Sequence, residues 1–125
     1  MSAPALPGSP NLPDLKELHF LLDSTGALIV FEERDTAWAG VLAFSSEESA
    51  RDFCRISKLE VAEVASIETA DRGSIAALIR EVKRRTVRYI LLDLDYRSGR
   101  CVQIDFAGDA LGSSREKQFS PREPR

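Results

Sequence analysis

The chain has 125 residues, 43% of them hydrophobic and 30% charged, a composition typical of one folded domain with its own core. Its formal net charge of -3 argues against a general nucleic-acid-binding protein, because phosphate contacts call for a basic excess. The N-terminus lacks the basic start and apolar run of a secretory signal, and no segment reaches the length of a membrane span. We therefore expect a cytoplasmic protein that binds neither nucleic acid nor membrane.

The two ends differ in composition from the middle. All six prolines lie before residue 14 or after residue 120, and bulky apolar residues are scarce at both ends. Such segments bury too little apolar surface to offset the entropy cost of ordering them. The composition predicts disordered tails over residues 1–13 and 110–125, and a single α+β domain over residues 14–109.

The first element predicted inside the domain is a β-hairpin. Two apolar stretches, ELHFLLD and ALIVFEE, are separated by Ser24-Thr25-Gly26. Gly26 stands at the loop position that requires a left-handed backbone, which glycine adopts without steric cost.

A strand and a helix follow the hairpin. Residues 38–44 (WAGVLAF) predict a third strand, and Ser45 and Glu48 have the spacing of a capping box at the start of a helix. Residues 60–67 (EVAEVASI) predict a fourth strand, although alanines dilute their alternation.

The second half predicts another helix and another hairpin. Residues 74–85 carry apolar side chains at helical spacing, with Asp71 or Ser74 as the N-cap. RYILLDLDY and RCVQIDF flank a loop ending at Gly99, and pairing Tyr96 with Arg100 gives one clean apolar face. The order β-β-β-α-β-α-β-β predicts an α+β fold with a mixed or antiparallel sheet and two helices.

Residues 20–106 resemble the N-terminal domain of the SseB family. The similarity lies in Leu21-Leu22-Asp23 through Leu28, in AFSSEESARDF at 43–53, and in the strand that carries Leu91-Leu92-Asp93. In place of the family's Asn-Pro-Gly-like turn, this chain has Asp95-Tyr96-Arg97-Ser98-Gly99. The resemblance implies a bacterial, non-enzymatic domain of a family known in connection with type III secretion, and it transfers no catalytic residue.

An apolar excess on the first hairpin predicts an interface. One of its faces carries Leu21, Ile29 and Phe31 although the opposite face is also apolar. A half-buried hairpin needs only one such face, and both helices are expected on the main face of the sheet. The second face must be covered by the chain itself, by a second copy or by a protein partner. Trp38 is either a core anchor, which is favoured, or a further interface residue.

Three aspartates form the main candidate for a metal site. The predicted strands place Asp93, Asp95 and Asp105 on one outward face, where three carboxylates could bind a divalent cation. The simpler interpretation, which we favour, is that they solubilise the exposed face of the sheet.

The remaining reactive side chains have structural interpretations. His19 has no partner acid or nucleophile visible in the sequence, and Cys54 lies on the apolar stripe of the first helix. Cys101 is predicted to point outward and to be accessible. A group of basic residues could receive a phosphate or an acidic partner, but a solvated helix end is favoured: Lys83, Arg84, Arg85, Arg88, Arg97, Arg100.

The sequence thus predicts a non-catalytic protein-interaction domain without a cofactor, bound to a protein partner or forming a homodimer. A small ligand- or metal-binding protein that uses the acidic face is the first alternative. An immunity- or chaperone-like partner-binding protein is the second.

Overall fold

A computed structural model describes residues 15–32, 39–61 and 63–118. In chain order the elements are β1 (Glu17–Leu22), β2 (Val30–Glu32), β3 (Ala39–Phe44), α1 (Glu47–Ser57), β4 (Glu63–Glu68), α2 (Arg72–Lys83), β5 (Val87–Leu92), β6 (Arg100–Ala107) and β7 (Ala110–Gln118). The strands form one sheet in the order β4-β1-β3-β5-β6-β7, and β2 also pairs with β3. Only the β3–β5 pair is parallel among these strands, so the predicted α+β fold with a mixed sheet is confirmed.

The two helices cover opposite faces of the sheet. Ile75 and Ile79 of α2 pack with Phe20 in a first cluster, which we call the α2-side core. Phe53 of α1 packs with Leu42 in a second cluster, the α1-side core. The expectation that both helices lie on one face was wrong, because the central strands are apolar on both faces and each face needs its own cover.

Strand β3 lies at the centre of the fold and is buried along its whole length. A strand that is buried on both faces has a continuous apolar sequence, and AGVLAF is such a sequence. Gly40 lies opposite Tyr89 of β5, and a Cβ at this position would come within 2.6 Å of the Tyr89 ring. The missing side chain therefore permits the close approach of β5 side chains to β3.

The first predicted hairpin forms its turn but is very short. Gly26 has a φ of 83°, as expected, and the Asp23 amide donates to the Ala27 carbonyl at 2.9 Å. After a single bridge between Leu22 and Leu28, the chain leaves β1 and pairs with β3 as β2. β1 and β2 therefore lie one after the other along the same edge of β3, and the turn connects them.

The second hairpin has a register two residues away from the predicted one. Pairing Tyr96 with Arg100 would place Ile90 opposite Phe106, but Ile90 lies opposite Ile104, because β5 ends at Leu92 and the loop runs over residues 93–99. Asp93 adopts a left-handed backbone with a φ of 53°, which ends the strand. The apolar face of the hairpin is preserved, since a shift of two residues returns every side chain to the same face.

Both helices begin at a side-chain cap. Ser46, not Ser45, caps α1: its hydroxyl accepts from the Ser49 amide at 3.1 Å. Asp71 caps α2 by accepting from the Ser74 amide at 3.1 Å, as one of the two predicted alternatives.

Residues 110–118 form a strand, so the prediction of a disordered tail from residue 110 was wrong for this segment. Lys83 donates to the Gly108 carbonyl at 2.7 Å and Arg80 lies 3.6 Å from Asp109, which fixes the β6–β7 turn to α2. The strand needs few apolar side chains because it lies at the edge of the sheet and is held mainly by backbone hydrogen bonds to β6.

The α1 cap provides a test of the fold. We expect Ser46→Ala to lower the free energy of unfolding by about 1 kcal/mol, because the Ser49 amide loses its acceptor. Ser45→Ala is the matched control and should change stability little: within the described residues Ser45 is held through its backbone amide, which donates to Asp93 and which alanine keeps. Urea denaturation of both variants measures the difference, and a larger loss in Ser45→Ala would contradict the assignment of the cap.

Candidate functional site

The apolar face predicted as an interface is part of the core. Leu21 is fully buried, and Ile29 and Phe31 are partly buried against the α1-side core. The Phe31 ring centroid lies 6.2 Å from that of Phe53 on α1. The helix therefore covers the surface that the sequence left open for a partner. Trp38, the fourth predicted interface residue, lies outside the described residues.

The three aspartates of the predicted metal site are not brought together on one strand face. The Asp93 carboxylate accepts from the Ser45 amide at 2.9 Å, and Asp95 accepts from the Arg97 amide at 3.0 Å in the β5–β6 loop. Asp105 lies on β6 and accepts from Gln103 at 2.6 Å. Within the described residues, no group of three or more His, Cys, Asp or Glu side chains is placed to hold a metal ion.

Tyr96 is the one large apolar side chain among the described residues that is well exposed, at 54%. It lies over a crevice of about 210 Å³ at the ends of β3 and β5, and its ring meets that of Phe53 edge-on at 5.9 Å. The carboxylates that line this crevice are already engaged: Asp93 and Asp95 hold backbone amides, and Asp52 pairs with Arg55. The crevice therefore offers an aromatic surface more than a set of free charges.

His19 has two partners that the sequence did not reveal. Its Nδ1 lies 2.9 Å from the Ser66 hydroxyl, and its Nε2 lies 3.3 Å from the Glu17 carboxylate. The histidine is only 8% exposed and joins β1 to β4. The nearly buried ring thus links the two strands, and its structural role stays a prediction.

The two cysteines lie in or beside the α1-side core. Cys101 is 5% exposed, so the prediction of an accessible thiol was wrong, because α1 and the strands around it close over that face of the sheet. Cys54 is partly buried, and burial raises the pKa of its thiol. Desolvation thus favours the protonated, less reactive form of Cys54.

The predicted basic group is dispersed over separate contacts. Lys83 and Arg85 donate to backbone carbonyls, of Gly108 and Leu28 respectively. Arg84 pairs with Glu81, and Arg100 pairs with Glu116. Much of the group's charge is therefore used within the fold.

The feature that local sequence patterns did not indicate is the open outer edge of β4. In the described part of the chain, β4 pairs with β1 alone. The Thr69 amide donates to the Lys16 carbonyl at 2.9 Å, and hydrogen-bonded pairs alternate along an antiparallel ladder. The backbone groups of Ala65 and Ile67 therefore point towards β1, whereas those of Val64, Ser66 and Glu68 point outward.

A groove runs beside this edge, between the C-terminal half of α1 and β4. It has a volume of about 380 Å³, within the range of ligand-binding clefts. We call it the α1–β4 groove, and it is lined by Arg51, Cys54, Leu59, Val61, Glu63 and Val64. Open backbone groups and an adjoining groove for side chains are the two parts that strand-adding peptide sites combine.

The β4 edge is also acidic. Glu17 and Glu68 lie directly opposite each other across β1 and β4, and Glu60 and Glu63 are exposed nearby. Within the described residues, none of these four carboxylates forms an ion pair with a lysine or arginine. Elsewhere on the described surface, the acids of the helices and of β7 mostly pair with arginines, as Glu47 does with Arg51.

Comparisons with known proteins supply no relative: the chain matches no protein-family model, no curated protein and no solved structure. The resemblance to the SseB family therefore stays a prediction. No helix in the described ranges has the length and apolar character required to cross a membrane.

The burial of Leu21 gives a test that separates core from interface. We expect Leu21→Ala to lower the free energy of unfolding by about 2–5 kcal/mol, because it removes a fully buried side chain and leaves a cavity. Leu28→Ala, at a partly buried position, should cost clearly less. Chemical denaturation measures both. A near-neutral Leu21→Ala that loses self-association would instead place Leu21 at an interface.

Acid should weaken the β5–β6 loop. Hydrogen bonds from the Arg97 amide and the Ser98 hydroxyl hold the pKa of Asp95 below its ordinary value of 3.8. Because the pKa is lowered in the folded state, the charged carboxylate stabilises the fold fully above about pH 4. This stabilisation is lost as the pH falls through the folded-state pKa. We expect Asp95→Asn to have a lower Tm than the wild type at pH 7, and the difference to shrink below pH 4. A Tm difference independent of pH would contradict the role of the charge.

Proposed function

We propose that this chain is a non-catalytic protein-interaction domain of a bacterial cytoplasm. In this proposal it binds an extended segment of a partner protein as an additional strand on β4. The bacterial and cytoplasmic setting comes from the composition and the family resemblance, and the mode of binding comes from the edge of the sheet.

The observation that carries the proposal is the outward direction of the Val64, Ser66 and Glu68 backbone groups beside the α1–β4 groove. An extended peptide would satisfy these donors and acceptors, and main-chain hydrogen bonds of this kind give affinity for many sequences. Every second side chain of the peptide would point to the α1 side, where the apolar part of the groove lies. The backbone thus supplies binding and the groove supplies selectivity.

Among the described strands the other edge of the sheet is β7, which suits a partner less well. Arg115, Glu116 and Lys117 are charged side chains on this strand, and Arg100 of β6 pairs with Glu116. Charged side chains, lysine above all, are a common device by which proteins block the pairing of exposed edges. β4 carries no lysine or arginine. Four uncharged residues lie between its two glutamates: Val64, Ala65, Ser66 and Ile67.

The serine–histidine contact favours a structural role for Ser66. A serine nucleophile commonly uses two amide donors for the developing oxyanion, and Ser66 offers only its own outward amide, because the amides of the flanking Ala65 and Ile67 point into the ladder with β1. Ser66 therefore contributes to the proposed function through its outward backbone amide, while its side chain joins β4 to His19.

A proline at position 66 tests the proposal. The immobilised full chain is used to select from a displayed library of random twelve-residue peptides, and the selected peptides are measured against Ser66→Pro and Ser66→Ala. Both variants lose the hydroxyl bonded to His19, but only proline removes the outward amide. We expect Ser66→Pro to bind about tenfold more weakly than Ser66→Ala, because a backbone hydrogen bond is lost and the proline ring obstructs the added strand.

Two measurements keep this result interpretable. The Tm values of the two variants show whether proline disturbs the fold itself. In the wild type, amide hydrogen exchange at Val64, Ser66 and Glu68 should slow when a selected peptide is added. Peptides that bind equally to both variants and leave these amides unprotected would remove β4 as the binding site.

A further inference from the structure

Building on the proposed function, we infer that the strand added to β4 belongs to a different protein and carries two basic residues five positions apart, with an apolar residue next to one of them. The apolar residue stands inside the pair, beside the basic residue that lies near Glu63. The placement of charges and apolar groups along β4 specifies this pattern.

Two opposed glutamates define the first basic position. Glu68 and Glu17 face each other directly across two strands, an arrangement that destabilises a sheet unless a cation lies nearby. The one partner of Glu17 in the described residues is His19, at 3.3 Å, and Glu68 has no ion pair there. A lysine or arginine on an added strand opposite Glu68 would lie next to both carboxylates.

The faces of β4 fix the remaining positions. Val64 packs with the α1-side core and Ile67 with the α2-side core, and side chains alternate along a strand. Glu68 therefore lies on the α1 side with Val64, and Glu63, the first residue of β4, lines the end of the α1–β4 groove next to Val64. A basic residue opposite Glu63 and an apolar residue opposite Val64 complete the pattern.

The direction of the added strand does not change the spacing. In an antiparallel strand the order is basic, three free positions, apolar, basic. In a parallel strand it is the reverse: basic, apolar, three free positions, basic. In both cases the two basic residues lie opposite Glu63 and Glu68, and the apolar side chain enters the α1–β4 groove beside Val64 and Cys54.

A second copy of the chain is a poorer occupant. Two β4 edges placed side by side would bring two sets of edge glutamates together, and their like charges repel. The β7 edge of another copy carries Arg115 and Lys117, but pairing β7 with β4 is head-to-tail and leaves the same two edges open on the assembly. Contacts of that type grow into rings or open filaments rather than ending at a dimer.

The test uses the peptides selected on the full chain, together with a variant whose edge charges are removed. The variant combines Glu60→Gln, Glu63→Gln and Glu68→Gln. A matched control combines Glu47→Gln, Glu48→Gln and Glu81→Gln, which removes the same charge from the helices. Affinity is measured by fluorescence anisotropy at about 50 and 500 mM salt, since screening weakens exposed charge pairs.

We expect the selected peptides to contain the basic pair at a spacing of five, and to lose affinity about tenfold on the edge variant but less than threefold on the control. Affinity for the wild type should fall with salt, and affinity for the edge variant should not. Replacing the two basic residues of a peptide by glutamine should reproduce the loss.

The other outcomes overturn the inference in distinguishable ways. Peptides that need the Ser66 amide but are neutral or acidic would refute the charge pattern and leave the proposed function standing. Failure to select any peptide that depends on the Ser66 amide would remove both. Self-association of the wild type, detected by light scattering and lost in Ser66→Pro, would make a second copy the occupant and refute a foreign partner.

Discussion

The parallel pairing of β3 with β5 is the contact on which the rest of the fold depends. Parallel neighbours require a long crossover, and here the chain between Phe44 and Val87 supplies α1, β4 and α2. The two strands are almost wholly buried on both sides, so each face needs one helix. Gly40 lets the side chains of Tyr89 and Leu91 on β5 approach β3 closely.

The position of β4 follows from that crossover. The chain leaves α1 on one side of the sheet, adds β4 beyond β1 at the edge, and returns through α2 on the other side. Among the described strands β4 is held by β1 on one flank only, and α1 lies next to it beside the groove. The same path that builds the two cores leaves an accessible edge and a groove together at one end of the sheet.

Local patterns predict the elements well because side-chain periodicity and turn residues are local properties. Gly26 and the apolar spacing of α2 were read correctly for this reason. The register of the second hairpin was predicted wrongly, since a shift of two residues keeps the same hydrophobic face. The left-handed backbone of Asp93, which ends β5, has no clear sequence signal. The β4 edge depends on strand order, which the pattern does not encode, and Leu21 looked exposed only because α1 was assigned to the other face.

His19 makes the state of the β4 edge observable without any label. It is the single histidine of the chain, so its imidazole signals in a nuclear magnetic resonance spectrum belong to one known residue. Its ring lies one strand in from the open edge and is held by Ser66 on β4 and Glu17 on β1. The hydrogen bond between the Ser66 hydroxyl and Nδ1 couples the ring to β4, and a change at the edge strand alters that bond. The imidazole is therefore a natural spectroscopic sensor at the border between the core and the edge.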